Sequence, residues 1–298
     1  MIKNIYKNCT LCPRNCKINR YKQKGFCNSK NKIRIAYADM YKYEEPIIES
    51  KNKKSGAIFF SGCNMKCIFC QNYDISTLNI GKEISIKKLK NIMLKLQEKN
   101  ALNINLVTPT IYVPSIKKAI KKAKKEGLKI PIIYNTSSYE NIETIEILNN
   151  DIDIYLPDLK YYEDNLSQKY SNTKDYFYHA TKAIDEMYKQ VGKPIIKNNI
   201  MEKGVIVRHL LLPGHLEDSK KIIKYLYDTY KDNIYISIMN QYTPIKKLKY
   251  ENLNRTVSKK EYDELIDYAI ELGIKNAFIQ VGETQKKSFI PDFKIQKF

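Results

Sequence analysis

Among its 298 residues the sequence has no tryptophan, only three histidines and only five arginines, and each scarcity narrows what the chain can be. Lysine makes up nearly all of the 52 basic residues, which against 32 acidic ones give a formal net charge of +20. A positive field of that size is one signature of a polyanionic partner such as RNA. Readers of nucleic acid, however, favour arginine for bidentate contacts, and here lysine is spread over every segment instead of gathering into a patch. The charge therefore reads as a chain-wide compositional bias, shared with abundant Ile, Asn and Tyr, and nucleic acid is not the expected partner. No apolar run approaches the roughly 20 residues that span a bilayer, and Met1 to Asn8 lacks the apolar core of a signal peptide. A cytoplasmic protein without a membrane anchor is expected. The histidines His179, His209 and His215 lack metal-ligand spacing and read as structural or exposed. No Gly/Ser-rich linker, repeat or low-complexity block divides the chain, whose length suits one catalytic domain with a small extension.

What is present is apolar and aromatic material enough for a globular core: 43% hydrophobic residues and 24 tyrosines. From about residue 57 onward, short β-branched runs alternate with charged segments of helical period, the pattern of βαβ units on a parallel sheet. Strands are predicted at 56–62, 102–108, 130–136, 152–158, 204–212, 234–241 and 276–280. Helices are predicted near 85–99, 114–126, 140–149, 174–191, 217–230 and 258–272. In the first of these, Ile86, Leu89, Ile92, Met93 and Leu96 form the stripe of a helix packed by one face on a sheet. Six strand-helix units and a closing strand predict an α/β fold, a partial TIM-like (β/α)6 barrel over 56–298. Residues 1–55 differ: four cysteines precede the alternating Ile33, Ile35 and Tyr37, read as a strand outside the barrel in a cysteine-rich extension.

The seven cysteines form two groups, and an odd number in a cytosolic-looking chain argues for metal or cluster ligation over disulfides. Cys63, Cys67 and Cys70 follow directly on the first barrel strand, at the end where such barrels carry their active sites. Three thiolates within eight residues are able to take three corners of a cubane [4Fe-4S] cluster and leave the fourth iron open to substrate. A structural zinc site would want a fourth ligand at similar spacing. Arg208 lies within the apolar run Val205 to Leu212, where period-two alternation puts it on one face with Ile206 and Leu210 and His209 on the other. A charge there calls for an anionic partner.

The C-x3-C-x2-C spacing, with the aromatic Phe69 before its last cysteine, resembles the radical SAM superfamily. Beyond it, Cys9-Thr10-Leu11-Cys12-Pro13, Glu44-Glu45-Pro46, Asn135-Thr136-Ser137, Pro157-Asp158-Leu159-Lys160, Val207-Arg208 and Met239-Asn240-Gln241-Tyr242 resemble the activating enzymes of glycyl-radical enzymes, the pyruvate formate-lyase activating type. The resemblance implies a radical SAM enzyme in which S-adenosylmethionine (SAM) chelates the open iron of a [4Fe-4S] cluster. Reductive cleavage of SAM then yields a 5′-deoxyadenosyl radical, with flavodoxin or ferredoxin as electron donor. It further implies SAM contacts from Phe69, Thr108, Asn135, Thr136, Asp158, Lys160, Arg208 and Gln241. The family's Gly-Gly-Glu is replaced around Thr108, which either accepts a hydrogen bond from the SAM amino group or simply ends a strand. Asn135 stands for an aspartate of a cation site, and Gln241 for a histidine. The implied substrate is a protein, the backbone glycine of a glycyl-radical enzyme. A barrel left bare after Cys70, with no long C-terminal appendage, agrees with entry of a peptide loop. Modification of another peptide, a small molecule or RNA is the alternative, and a non-catalytic, metal-stabilised nucleic-acid-binding protein a more remote one.

Cys9, Cys12, Cys16 and Cys27 account for the remaining cysteines and equal in number the ligands of a closed tetrahedral site. They are expected to hold zinc or a second iron-sulfur cluster, since so short a segment has little core of its own.

Overall fold

The computed structural model describes residues 5–50, 53–280 and 293. Its frame is one ten-stranded sheet. The strands are β1 (Ile33–Tyr41), β2 (Ser55–Phe60), β3 (Lys82–Ile84), β4 (Ile104–Val107), β5 (Ile132–Thr136), β6 (Ile154–Pro157), β7 (Ile195–Lys197), β8 (Ile200–Leu210), β9 (Tyr235–Met239) and β10 (Ala277–Ile279). Seven of them run parallel in the order β2-β4-β5-β6-β8-β9-β10. Among the described residues the edges do not meet, so the barrel is open.

The strand predicted to stand outside the barrel is a correction. β1 pairs antiparallel with β2 along almost its whole length, and β3 pairs antiparallel with β1. Alternation along β1 shows that one face is buried, but the edge to which a strand hydrogen-bonds is a tertiary matter.

Among the described residues eight α-helices accompany the strands: α1 (Tyr73–Ser76), α2 (Ile86–Glu98), α3 (Val113–Lys125), α4 (Ile142–Glu146), α5 (Asp164–Ser171), α6 (Tyr176–Val191), α7 (Leu216–Tyr230) and α8 (Lys259–Glu271). α2 begins where the Ser85 side chain accepts from Lys88 N, and it buries Leu89, Ile92, Met93 and Leu96 as the periodicity predicts. α8 opens with a capping box between Ser258 and Glu261.

Successive strand residues divide between two cores. Ile58, Leu106, Tyr134, Tyr155, Val207 and Ile238 point outward and join the helices in the main core. Ile133, Ile154, Leu156 and Ile206 point inward and pack with Ile48 and Met201. Ile48 comes from the turn after β1, so that turn supplies the floor of the barrel interior. Above the floor the inward positions become polar, and the site begins there.

Candidate active site

The C-terminal ends of the parallel strands open on a cavity of about 250 Å3. Cys63, Cys67, Cys70, Phe69, Thr108, Asn135, Thr136, Asp158, Lys160, Arg208 and Gln241 all line it. Eleven residues chosen from separate stretches of sequence thus line one cavity. The reason is geometric, since the last inward residue of each parallel strand faces the same mouth.

The cysteines leave β2 through Gly62, whose φ of 87° suits a residue without a Cβ. Each sulfur has a donor beside it. Met65 N stands 3.4 Å from Cys63 Sγ, Ser171 Oγ 2.9 Å from Cys67 Sγ, and the Ser76 hydroxyl 3.3 Å from Cys70 Sγ. Burial pushes the Cys63 thiol up to about 12 and the Cys67 thiol up to about 11. A soft cation reverses that preference by binding the thiolate form. Three partly buried thiols on one loop, with donors aimed at their sulfurs, fit a [4Fe-4S] cluster.

Across the cavity stands an ionic network. Asp158 Oδ1 accepts from Arg208 Nε at 2.8 Å, while Asp158 Oδ2 accepts from Lys160 Nζ at 2.7 Å. Arg208 Nη2 also donates to Asn135 Oδ1 at 2.8 Å. Burial works to raise the Asp158 pKa, but Arg208 and Lys160 outweigh it and hold the carboxyl below its usual value. Asp158 thus stands between two cations, and Glu44 and Glu45 bear on Arg208 as well. Since Arg208 occupies the Asn135 oxygen, that oxygen is committed to a cation already present in the chain. The resemblance implies a SAM contact for Arg208, and within the chain its anionic partner is Asp158.

Thr108 closes β4 with φ of 59°, and its amide donates to Asn135 O at 2.9 Å. A β-branched residue in the left-handed region is strained, and such strain concentrates at functional sites. Phe69 meets Tyr242 edge-on with ring centres 5.8 Å apart. The Gln241 carbonyl accepts from Gln71 Nε2 at 3.1 Å, tying the end of β9 to the cysteine loop. His209 faces away from the cavity, held by Leu159 O at 2.7 Å and Ser219 Oγ at 2.8 Å. Burial pushes its pKa down to about 4, in keeping with a structural role.

Three acidic residues had no assigned role in the sequence and acquire one here. Glu44, beside the cavity, accepts from Asn105 Nδ2 at 2.8 Å, and burial raises its pKa to about 7 against the pull of Arg208. Glu45 reaches Ser237 on β9. The visible signal was a Glu-Glu pair ahead of Pro46 and two isoleucines. Glu140 is buried, and its Oε1 gathers Thr110 Oγ1 at 2.6 Å, Thr136 Oγ1 at 2.5 Å and Tyr134 OH at 3.2 Å. It latches the segment after β4, which carries Thr108, to the end of β5, which carries Thr136. Nothing in its own sequence neighbourhood announces this.

No helix among the described residues is long and apolar enough to cross a membrane. Comparison with known proteins agrees with the geometry. A family model described as the radical SAM superfamily matches residues 57–226. An uncharacterised protein of Methanocaldococcus jannaschii is 32% identical over 280 residues, which cover 90% of this chain and 75% of that protein. A pyruvate formate-lyase-activating enzyme of Clostridium pasteurianum is 26% identical over 208 residues, 66% of this chain and 79% of the enzyme. Among solved structures, Streptococcus suis SuiB bound to S-adenosylmethionine superposes with a TM-score of 0.51 at 14% identity, over 74% of this chain. The chain spans 49% of that structure's length, and the likeness is one of fold.

Proposed function

The chain belongs to the radical SAM superfamily, whose enzymes use a [4Fe-4S] cluster and SAM, and from that premise we propose that Cys63, Cys67 and Cys70 hold the cluster. When bound, cluster and SAM supply reductive cleavage of the sulfonium to methionine and a 5′-deoxyadenosyl radical that abstracts hydrogen. The observation that carries the reading is the placement of three thiols opposite the Asp158, Lys160 and Arg208 network in one cavity.

The chain's own residues divide the work. Ser171, Ser76 and the Met65 amide steady the sulfurs. Lys160 and Arg208 attract the carboxylate of SAM, and Asp158 keeps both cations aligned and charged. Thr108 and Thr136 offer oxygens to its amino group, while Phe69 and Tyr242 flank the adenine. Gln241 closes the side next to the cysteine loop.

The substrate in this reading is a protein, the backbone glycine of a glycyl-radical enzyme, as the likeness to the C. pasteurianum activating enzyme suggests. Flavodoxin or ferredoxin supplies the electron, in an anaerobic cytoplasm. Anaerobic reconstitution followed by addition of SAM and a chemical reductant should release 5′-deoxyadenosine from the wild type and none from Cys63→Ala. Cluster-loaded wild type that leaves SAM intact would sink the radical reading. Adding candidate glycyl-radical proteins should produce a protein-radical signal in spin resonance. Brisk SAM cleavage with no such signal would count against glycine as the target.

A further inference from the structure

The N-terminal cysteines come together through tight turns. Cys9 N donates to Ile18 O at 3.0 Å, Lys17 N to Cys9 O at 2.9 Å and Asn15 N to Cys12 O at 3.0 Å. Asn15 and Lys17 take left-handed backbone, with φ of 41° and 51°. The chain thereby doubles back, bringing Cys9, Cys12 and Cys16 each within electrostatic reach of Cys27. Around Gly25 the crowding is direct: the point where a side chain would begin lies 3.6 Å from Cys27 Sγ and 3.7 Å from Cys16 Sγ. Cys9, Cys12 and Cys27 are buried. Apart from these thiols the segment's own core is little more than Tyr6 and Leu11, with Ile5 and Ile18 beside them. Among the described residues no such group already stands as a metal's coordination shell, the Cys63 trio included.

Beside them lies a buried cation, Arg20, that faces the rings of Tyr6 at 5.1 Å and Tyr112 at 5.8 Å. Arg20 is 0% exposed, and its donors all go to neutral carbonyls: Nε to Ser29 O at 3.3 Å, Nη1 to Ile111 O at 2.6 Å and Nη2 to Lys30 O at 2.5 Å. The ionisable groups that bear on it most are Cys27, Tyr6, Cys9 and Tyr112, with no carboxylate among them. A buried cation without a countercharge costs several kcal/mol. Protonated thiols do not relieve that cost, whereas four thiolates around a divalent ion carry a net charge of about −2 and do.

We infer that Cys9, Cys12, Cys16 and Cys27 are the thiolate ligands of a second metal centre, a zinc ion or an iron-sulfur cluster, with Arg20 as its buried countercation. The centre braces the loop that carries the first one. The Cys27 carbonyl oxygen lies 2.8 Å from where a Cβ on Gly62 would sit. Arg14 Nε donates to Asn64 O at 2.9 Å, and Asn79 Nδ2 to Asn28 O at 2.7 Å.

The test uses the full chain with Cys63, Cys67 and Cys70 all changed to alanine, so that its outcome does not depend on the radical reading. Purified anaerobically, this variant should retain about one zinc or about four irons with sulfide, the two results identifying the metal. X-ray absorption at the edge of that metal should show sulfur ligands at about 2.3 Å. Metal-free, folded protein, or a shell of nitrogen and oxygen, would overturn the inference. Changing Cys12 and Cys27 to alanine in the same background should remove the metal. If those variants fail to fold, the absorption measurement on the parent still decides. Arg20→Met should hasten loss of the metal to a chelator and Arg20→Lys should partly restore retention; equal retention in all three would overturn the role given to Arg20.

Discussion

Asp158 is bonded to both Arg208 and Lys160, and its side chain is only 16% exposed. Asp158→Asn keeps the shape and leaves two cations facing each other, so it should destabilise the fold by about 3 kcal/mol in denaturant unfolding. A loss below about 1 kcal/mol would show the pair to be solvent-screened. Glu140 predicts a pH dependence of definite sign. Its pKa is raised from 4.5 to about 7 by burial, so the folded state keeps the proton that the unfolded state releases. Stability should therefore fall as pH rises from about 4.5 to about 7, by at most roughly 3 kcal/mol, and level off on either side. Melting curves across that range should be flatter for Glu140→Gln; an unchanged slope would place the titration elsewhere. The strand-end residues were legible because alternation and strand endings locate them. Glu44, Glu45 and Glu140 were not, because each acts on elements distant in sequence.

Among the elements, the long helices were legible from their periodicity, while the caps that start α2 and α8 came from the structure. Ser258→Ala removes the hydroxyl that receives the Glu261 amide at the start of α8 and should cost about 1 kcal/mol, measured by thermal unfolding. Glu261 also binds Arg255 and the Gly214 amide, and hydrogen bonding, above all from Arg255, holds its carboxyl far below the usual range. Glu261→Gln should consequently lower the midpoint by more than Ser258→Ala; the reverse order would mean that the hydroxyl dominates. α5 escaped the sequence reading because its eight residues are mostly polar. Its first residue is Asp164, whose carboxylate accepts from the Asp175 and Tyr176 amides at the start of α6. That is a contact between the starts of two helices, without periodic signal. β3 and β7, three residues each, exist because β1 and β8 offer them free edges.

For the whole molecule, the N-terminal segment, the cysteine loop and the barrel act as one unit joined at Gly62. A side chain there would meet the Cys27 carbonyl and take up a positive φ, so Gly62→Ala should lower both thermal stability and iron uptake on reconstitution. Normal iron uptake at reduced stability would show that the two cysteine groups do not depend on each other. The sequence by itself determined the alternation of strands and helices, the open parallel architecture and the two cysteine sets, since periodicity and ligand spacing are local properties. Tertiary structure decided where β1 pairs, that the turn after it floors the barrel, that Arg208 answers Asp158, and that Arg20 lies fully buried. Those outcomes depend on which surfaces meet, and burial turns an ordinary charge into one that must be compensated.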